Sequence, residues 1–129
     1  MKIFLDDIRV PSDCVTYMHS RIGNMNPIYL EEWNIVRNYD EFVEVVTQHY
    51  NEIECISFDH DLAHEHYDPS MYERSNAYDE LYSDFKEKTG YDCAKWLKAF
   101  YEEKEKMLPA IIVHSMNPVG TQNIVKVFR

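Results

Sequence analysis

The chain has 129 residues, of which 45% are hydrophobic and 28% charged, so it fits one folded domain, residues 1–129, with a single core. Its formal net charge of -10 argues against a broad grip on a nucleic-acid backbone, which needs Lys and Arg to displace counterions, but leaves open a nucleotide or a terminal phosphate held locally. No run approaches the roughly 20 apolar residues of a bilayer-crossing helix, and the start, Met1-Lys2-Ile3-Phe4-Leu5-Asp6-Asp7, turns acidic too early for a signal peptide; a cytoplasmic protein with no membrane partner is expected.

In chain order, residues 2–6 carry the apolar run Ile3-Phe4-Leu5, too short for a helix and closed by acids, which reads as a buried strand. Residues 11–30 are interrupted by Pro11, Gly23 and Pro27 and read as an extended loop or small hairpin over the strand ends. Residues 33–36 are a short strand candidate. Over 39–50, Tyr39, Phe42, Val43, Val46 and Tyr50 recur at helical spacing, with Asn38 or Asp40 as cap. Residues 53–58 form the next strand, again closed by Asp, and the stretch 62–75 is irregular.

Tyr78, Leu81, Tyr82 and Phe85 predict a short amphipathic helix, and Thr89-Gly90-Tyr91-Asp92 starts another, whose core face is Cys93, Trp96, Leu97, Phe100 and Tyr101. Pro109 stops it and releases the strand Ala110-Ile111-Ile112-Val113. After Asn117-Pro118-Val119-Gly120, the spacing of Thr121, Ile124, Val125 and Phe128 favours a helix, although the β-branched content also suits a strand. Strands alternating with helices predict a three-layer α/β fold with a parallel sheet of about four strands.

In such sheets ligands sit beyond the carboxyl ends of the strands, where the strand order reverses. There this chain places Asp6-Asp7, Asp59-His60-Asp61 and His114-Ser115. One Asp after a strand commonly caps a turn. Two strand ends with paired acids favour a site instead: Asp6, Asp7, Asp59 and Asp61 repel one another unless a cation compensates, and oxygen ligands suit Mg²⁺ or Mn²⁺. His60 and His114 have the pKa range of a general acid and base around a phosphorus centre, or else serve as structural groups or metal ligands. Strand alternation would put His60 on the opposite side from Asp59 and Asp61 unless the chain turns there.

Arg9 and Lys95 are cationic candidates for phosphate, and the turn at Asn117 brings backbone amides to the same edge. His64 and His66 have His-x-His spacing, but no second ligand pair stands at metal-site spacing. Cys14, Cys55 and Cys93, odd in number and without metal-like spacing, read as reduced thiols.

Four segments together resemble one family: Phe4-Leu5-Asp6-Asp7-Ile8-Arg9-Val10-Pro11, Ile56-Ser57-Phe58-Asp59-His60-Asp61-Leu62, Thr89-Gly90-Tyr91-Asp92 and His114-Ser115-Met116-Asn117-Pro118-Val119-Gly120. The chain resembles the divergent receiver-like proteins called cyclic-phosphate processing receiver domains. The resemblance implies a truncated flavodoxin or CheY-like fold in which Asp6 and Asp7 match the acidic pair that binds Mg²⁺. Asp59 then matches the phosphoacceptor, and Ser115 the small hydroxyl after the fourth strand.

The chain departs from ordinary receivers in three ways: it shows no fifth strand followed by the receiver's Lys, no clear helix in the first crossover, and two added histidines, His60 and His114. The resemblance implies a metal-dependent phosphoesterase, a possible cyclic phosphodiesterase, acting on a cyclic or terminal phosphate of a nucleotide or RNA end. In that reading Asp59, His60 and His114 are catalytic, and Arg9, Ser115 and Asn117 meet the substrate. A catalytically silent receiver-like binding module and a nucleotide-sequestering protein are the alternatives. The sequence does not set the oligomeric state.

Overall fold

The computed structural model describes residues 1–15, 27–62 and 88–129. In it β1 (Lys2–Leu5), β2 (Asn34–Val36), β3 (Cys55–Phe58) and β4 (Ala110–Val113) form one all-parallel sheet in the order β2-β1-β3-β4. That order follows the first four positions of the flavodoxin-like arrangement, which reverses direction between β1 and β3. The fold is a truncated CheY-like α/β unit. Among the described residues three longer helices flank the sheet: α1 (Tyr39–His49), α2 (Gly90–Glu103) and α3 (Pro118–Val127).

Side chains alternate across a strand, so the sheet has two differently built faces. Ile3 and Leu5 of β1, Val36 of β2 and Ile56 and Phe58 of β3 join Phe42 and Val46 of α1, Cys93, Ala94, Leu97 and Tyr101 of α2, and Ile124 of α3 in the main core. Each large apolar side chain buried there contributes about 1.5–3 kcal/mol. On the other face, among the described residues, Phe4, Cys14 and Tyr29 form a second cluster, with Val15, Ile28 and Trp33 packed against it.

Local signals explain the helix starts. The Asn38 side chain accepts from the Glu41 N–H at 2.9 Å and caps α1. Thr89 and Asp92 form a reciprocal capping box at the start of α2, with the Asp92 carboxylate accepting from the Thr89 N–H at 2.9 Å. Asn117 caps α3 by accepting from the Gly120 N–H at 2.9 Å, and Pro118 stands in the first turn, where its missing N–H costs nothing. Cap and proline together decide for helix over strand in a β-branched segment.

The third strand is shorter than expected and begins at Cys55, although Ile53 is still a core residue. The reading of 11–30 as loop or hairpin needs correction at both ends, where residues 11–15 are helical and Pro27–Leu30 is a 3-10 turn, while 16–26 lie outside the described residues. Pro11 opens that helical stretch rather than breaking it, as proline does in a first turn. The expected helix around Tyr78–Phe85, His64 and His66, and the irregular stretch apart from Leu62 lie outside the described residues. All three cysteines are buried and unpaired with one another. Among the described residues no helix is long and apolar enough to cross a membrane.

Candidate metal and phosphate site at the carboxyl edge

The site follows from strand register. Leu5 pairs with Val36 and with Phe58, and Phe58 pairs with Val113, so the last rungs of all four strands are level. Arg37, Asp6, Asp59 and His114 therefore stand side by side one residue past that rung, in sheet order. The ladder extends into this row: the Asp6 N–H donates to Val36 O at 3.1 Å, and those of Asp59 and His114 to Leu5 O and Phe58 O at 2.9 Å each.

By alternation Asp6, Asp59 and His114 share the face of Phe4 and Ser57. One ligand atom from each of the three lies within 4.8 Å of the others, and all three residues are buried. Asp6 Oδ1 accepts from the Ile8 and Arg9 N–H groups at 2.9 and 2.8 Å, and Oδ2 faces His114 Nε2 at 3.1 Å and the Arg9 guanidinium at 3.5 Å. Burial alone would raise the Asp6 pKa, but the hydrogen bond with His114 and those from Ile8 and Arg9 bring it down to about 2.

Asp59 is in the opposite situation. Its Oδ1 accepts from the His60 N–H at 2.9 Å, while its Oδ2 is buried with no hydrogen-bond partner among the described residues. Burial first, and then the Asp6 charge beside it, push the Asp59 carboxyl well above the ordinary carboxylate range. Two neighbouring carboxyls whose pKa values are driven apart in this way mark a candidate functional site. An oxygen-rich pair with an unsatisfied buried acceptor fits a hard divalent cation.

The His114 ring stacks on Phe4 with centroids 4.3 Å apart and 6° between planes, and burial lowers its pKa against the pull of Asp6. His114 Nδ1 meets Ser57 Oγ at 2.7 Å, and Ser57 Oγ meets the Tyr29 hydroxyl at 2.9 Å. A continuous buried chain thus runs Tyr29–Ser57–His114–Asp6.

A family model described as Cyclic-phosphate processing Receiver domain matches residues 1–129. The chain belongs to that family. No curated protein and no solved structure gives a significant match.

In this receiver domain the expected site residues fall into two groups. Asp6, Asp59, His114 and Arg9 meet on the Phe4 side of the sheet. His60 turns the other way, toward α3: a Cβ on Gly120 would stand 2.4 Å from its ring, so only glycine leaves room for it. His60 Nδ1 lies 2.8 Å from Asp61 Oδ1, and Asn117 Nδ2 lies 3.4 Å from each of those atoms. Backbone joins the two groups, since the His60 N–H is the donor to Asp59.

Ser115 Oγ accepts from the Asn117 N–H at 3.0 Å, and Ser115 is buried, as is Asn117, whose Oδ1 caps α3. Asp7 is half-buried on the β1 loop. Lys95 pairs with Asp92 at 3.7 Å and lies over the Tyr91 ring.

Sequence reasoning passed over Ser57, Tyr29 and Arg37. Arg37 Nη1 donates to the carbonyls of Asp6 and Arg9 at 3.2 and 2.7 Å and so shapes the loop that carries Asp6. Ser57 did leave a signal: it is the one polar residue in a strand otherwise made of Cys55, Ile56 and Phe58, and a buried hydroxyl needs a partner.

Proposed function

We propose that this receiver domain is a metal-dependent phosphoesterase acting on a cyclic or terminal phosphate of a nucleotide or RNA end. The observation that carries the reading is the level pair Asp6 and Asp59, with Asp59 Oδ2 buried and unpartnered. These two carboxylates would hold the ion, with Asp7 and Asp61 as further carboxylates at the same edge. Mg²⁺ or Mn²⁺ held by these residues would stabilise charge that grows on phosphoryl oxygens.

The chain's own groups supply the rest. Arg9, anchored on Asp6, presents a guanidinium to a phosphate oxygen. The Asp61 carboxylate accepts from His60 Nδ1–H and holds that ring against α3, while the His60 backbone N–H positions Asp59. His114, on the same face as Asp6 and Asp59, is the proton carrier of this reading: hydrolysis takes a proton from water as it attacks phosphorus and returns it to the ester oxygen that leaves. Membership of a family described as processing cyclic phosphates supports the substrate class.

The test is phosphorus NMR of 2′,3′-cyclic nucleotides and of terminally phosphorylated RNA ends incubated with the protein and Mg²⁺ or Mn²⁺. The ring should open or the phosphate leave, with turnover abolished by chelator and by Asp59→Ala. His114→Ala should slow it by roughly 10²-fold or more. Absence of product from every cyclic and terminal phosphate tried would sink the reading. The unpartnered Oδ2 also favours a second reading, phosphoryl transfer onto Asp59. Stabilisation by beryllofluoride and Mg²⁺ that disappears in Asp59→Ala, without turnover, would select it.

A further inference from the structure

β4 closes one side of the sheet, and its pairing with β3 sets which of its backbone groups point outward. The Ala110 and His114 N–H groups donate inward, to Glu54 O at 3.0 Å and Phe58 O at 2.9 Å. By alternation the N–H and C=O groups of Ile111 and Val113 face away from the sheet, and among the described residues nothing pairs with that side. Edge strands are commonly blunted by Lys, by Pro or by a bulge. β4 has none of these: it reads Ala110-Ile111-Ile112-Val113, and its register with β3 runs unbroken from end to end. The opposite edge, β2, is one residue shorter and follows Glu31 and Glu32.

The flanks of this edge decide what fits it. α1 packs on α2 and α2 on α3, so α3 is the outermost of the three helices and lies at the β4 side. Two helix spacings of about 8–10 Å exceed the three strand spacings of about 4.8 Å beneath them, which carries α3 to the line of β4 or past it. Ile124 turns into the core, and Lys126 and Val127 line a cleft with Lys95, Lys98 and Ala99 of α2; helical geometry then leaves the exposed Val125 on the side of the open edge. A second copy pairing antiparallel through β4 would bring its own α3 onto the same face and into that space. A strand with no helix above it avoids the collision. Charge selects further: residues 106–129, which hold β4 and α3, contain Lys106, Lys126 and Arg129 and no carboxylate, although the chain has 23. Because α3 runs back along β4, Arg129 comes down at the beginning of the strand, the end that Lys106 precedes.

We propose that the outer edge of β4 docks one extended strand of a partner polypeptide, apolar at alternate positions and acidic at the end that meets Lys106 and Arg129. Its backbone bonds the outward amides and carbonyls of Ile111 and Val113. Its side chains on one face lie beneath Val125, and those on the other lie beside Ile112, which is half-buried on the face that β4 shares with Ser57. Docking there requires no particular chemistry at the carboxyl edge.

Amide NMR of the full chain titrated with synthetic peptides tests this. The probe is a short peptide of alternating Val and Thr with a pair of Glu at one end, made with the acids first and with the acids last, since either strand direction can pair. One of the two should shift the Ile111 and Val113 amide signals and slow their hydrogen exchange about tenfold near saturation, while the Ala110 and Ile112 amides, already bonded to β3, change little. Lys in place of Glu should weaken binding roughly three- to tenfold, with a smaller difference at high salt. Pro at the centre of the peptide should abolish it. Ile111→Pro removes an outward N–H, leaves the ladder to β3 whole and should abolish docking. Lys106→Glu combined with Arg129→Glu, both exposed, should reverse the preference toward the Lys peptide whether or not Ile111→Pro folds. Equal binding of the Glu and Lys peptides, unchanged Ile111 and Val113 signals with every peptide, or protection of those amides in the free monomer would overturn the proposal. So would sedimentation showing a dimer that Ile111→Pro dissociates, which assigns the edge to a second copy.

Discussion

Asp59 holds a buried oxygen with nothing to bond it, beside a second carboxylate, and that arrangement opposes folding while no cation is present. Its folded pKa is raised above the ordinary 3.8, so the protonated form is favoured by the fold: its contribution is fully present below about pH 4 and is lost as pH rises toward the folded value. Asp6 runs the other way, contributing above 3.8 and losing that contribution as pH falls through about 2. Asp59→Asn should therefore stabilise the metal-free protein at pH 7, by about 1–3 kcal/mol, with the gain shrinking toward pH 4. Thermal melts in chelator across that range measure it, and a less stable variant at pH 7 would contradict the account. The acids and His114 were legible in the sequence because they follow short apolar runs. Ser57 and Tyr29 were not, since their roles depend on a cross-strand neighbour and on a turn that no periodicity marks.

Between the elements, α2 comes very close to the loop after β3. The Gly90 N–H donates to His60 O at 2.7 Å, and a Cβ at Gly90 would lie 1.7 Å from the Asp59 carbonyl oxygen. Gly90→Ala must push backbone against backbone, and should cost about 3 kcal/mol or more and weaken divalent-ion binding, because Asp59 moves with its carbonyl. Thr89→Ala, one residue away, removes only a cap and should cost about 1 kcal/mol with ion affinity unchanged. Urea unfolding and ion titration of the two variants separate these effects. The strands and all three longer helices were legible from apolar runs, helical spacing and capping residues. The helical residues 11–15 are hard to read in the sequence because Pro11 looks like an interruption when it opens the first turn.

Over the whole molecule, a net charge of -10 makes any bound cation doubly welcome, at the site and against general repulsion. Divalent ion at about 100 times its dissociation constant should stabilise the fold by about 2.7 kcal/mol. NaCl at matched ionic strength should do much less, and Asp59→Asn should abolish the difference. Melting temperatures in Mg²⁺, Mn²⁺ and NaCl check this. Strand order was anticipated only as parallel alternation, and it is the level register that turns three separate strand ends into one pocket. Those strands are far apart along the chain, and a slip of one residue in β3 would present Phe58 or His60 where Asp59 belongs. The pocket therefore exists only in copies whose every crossover has closed in register. An incompletely folded chain carries the same acids and histidines but is chemically silent.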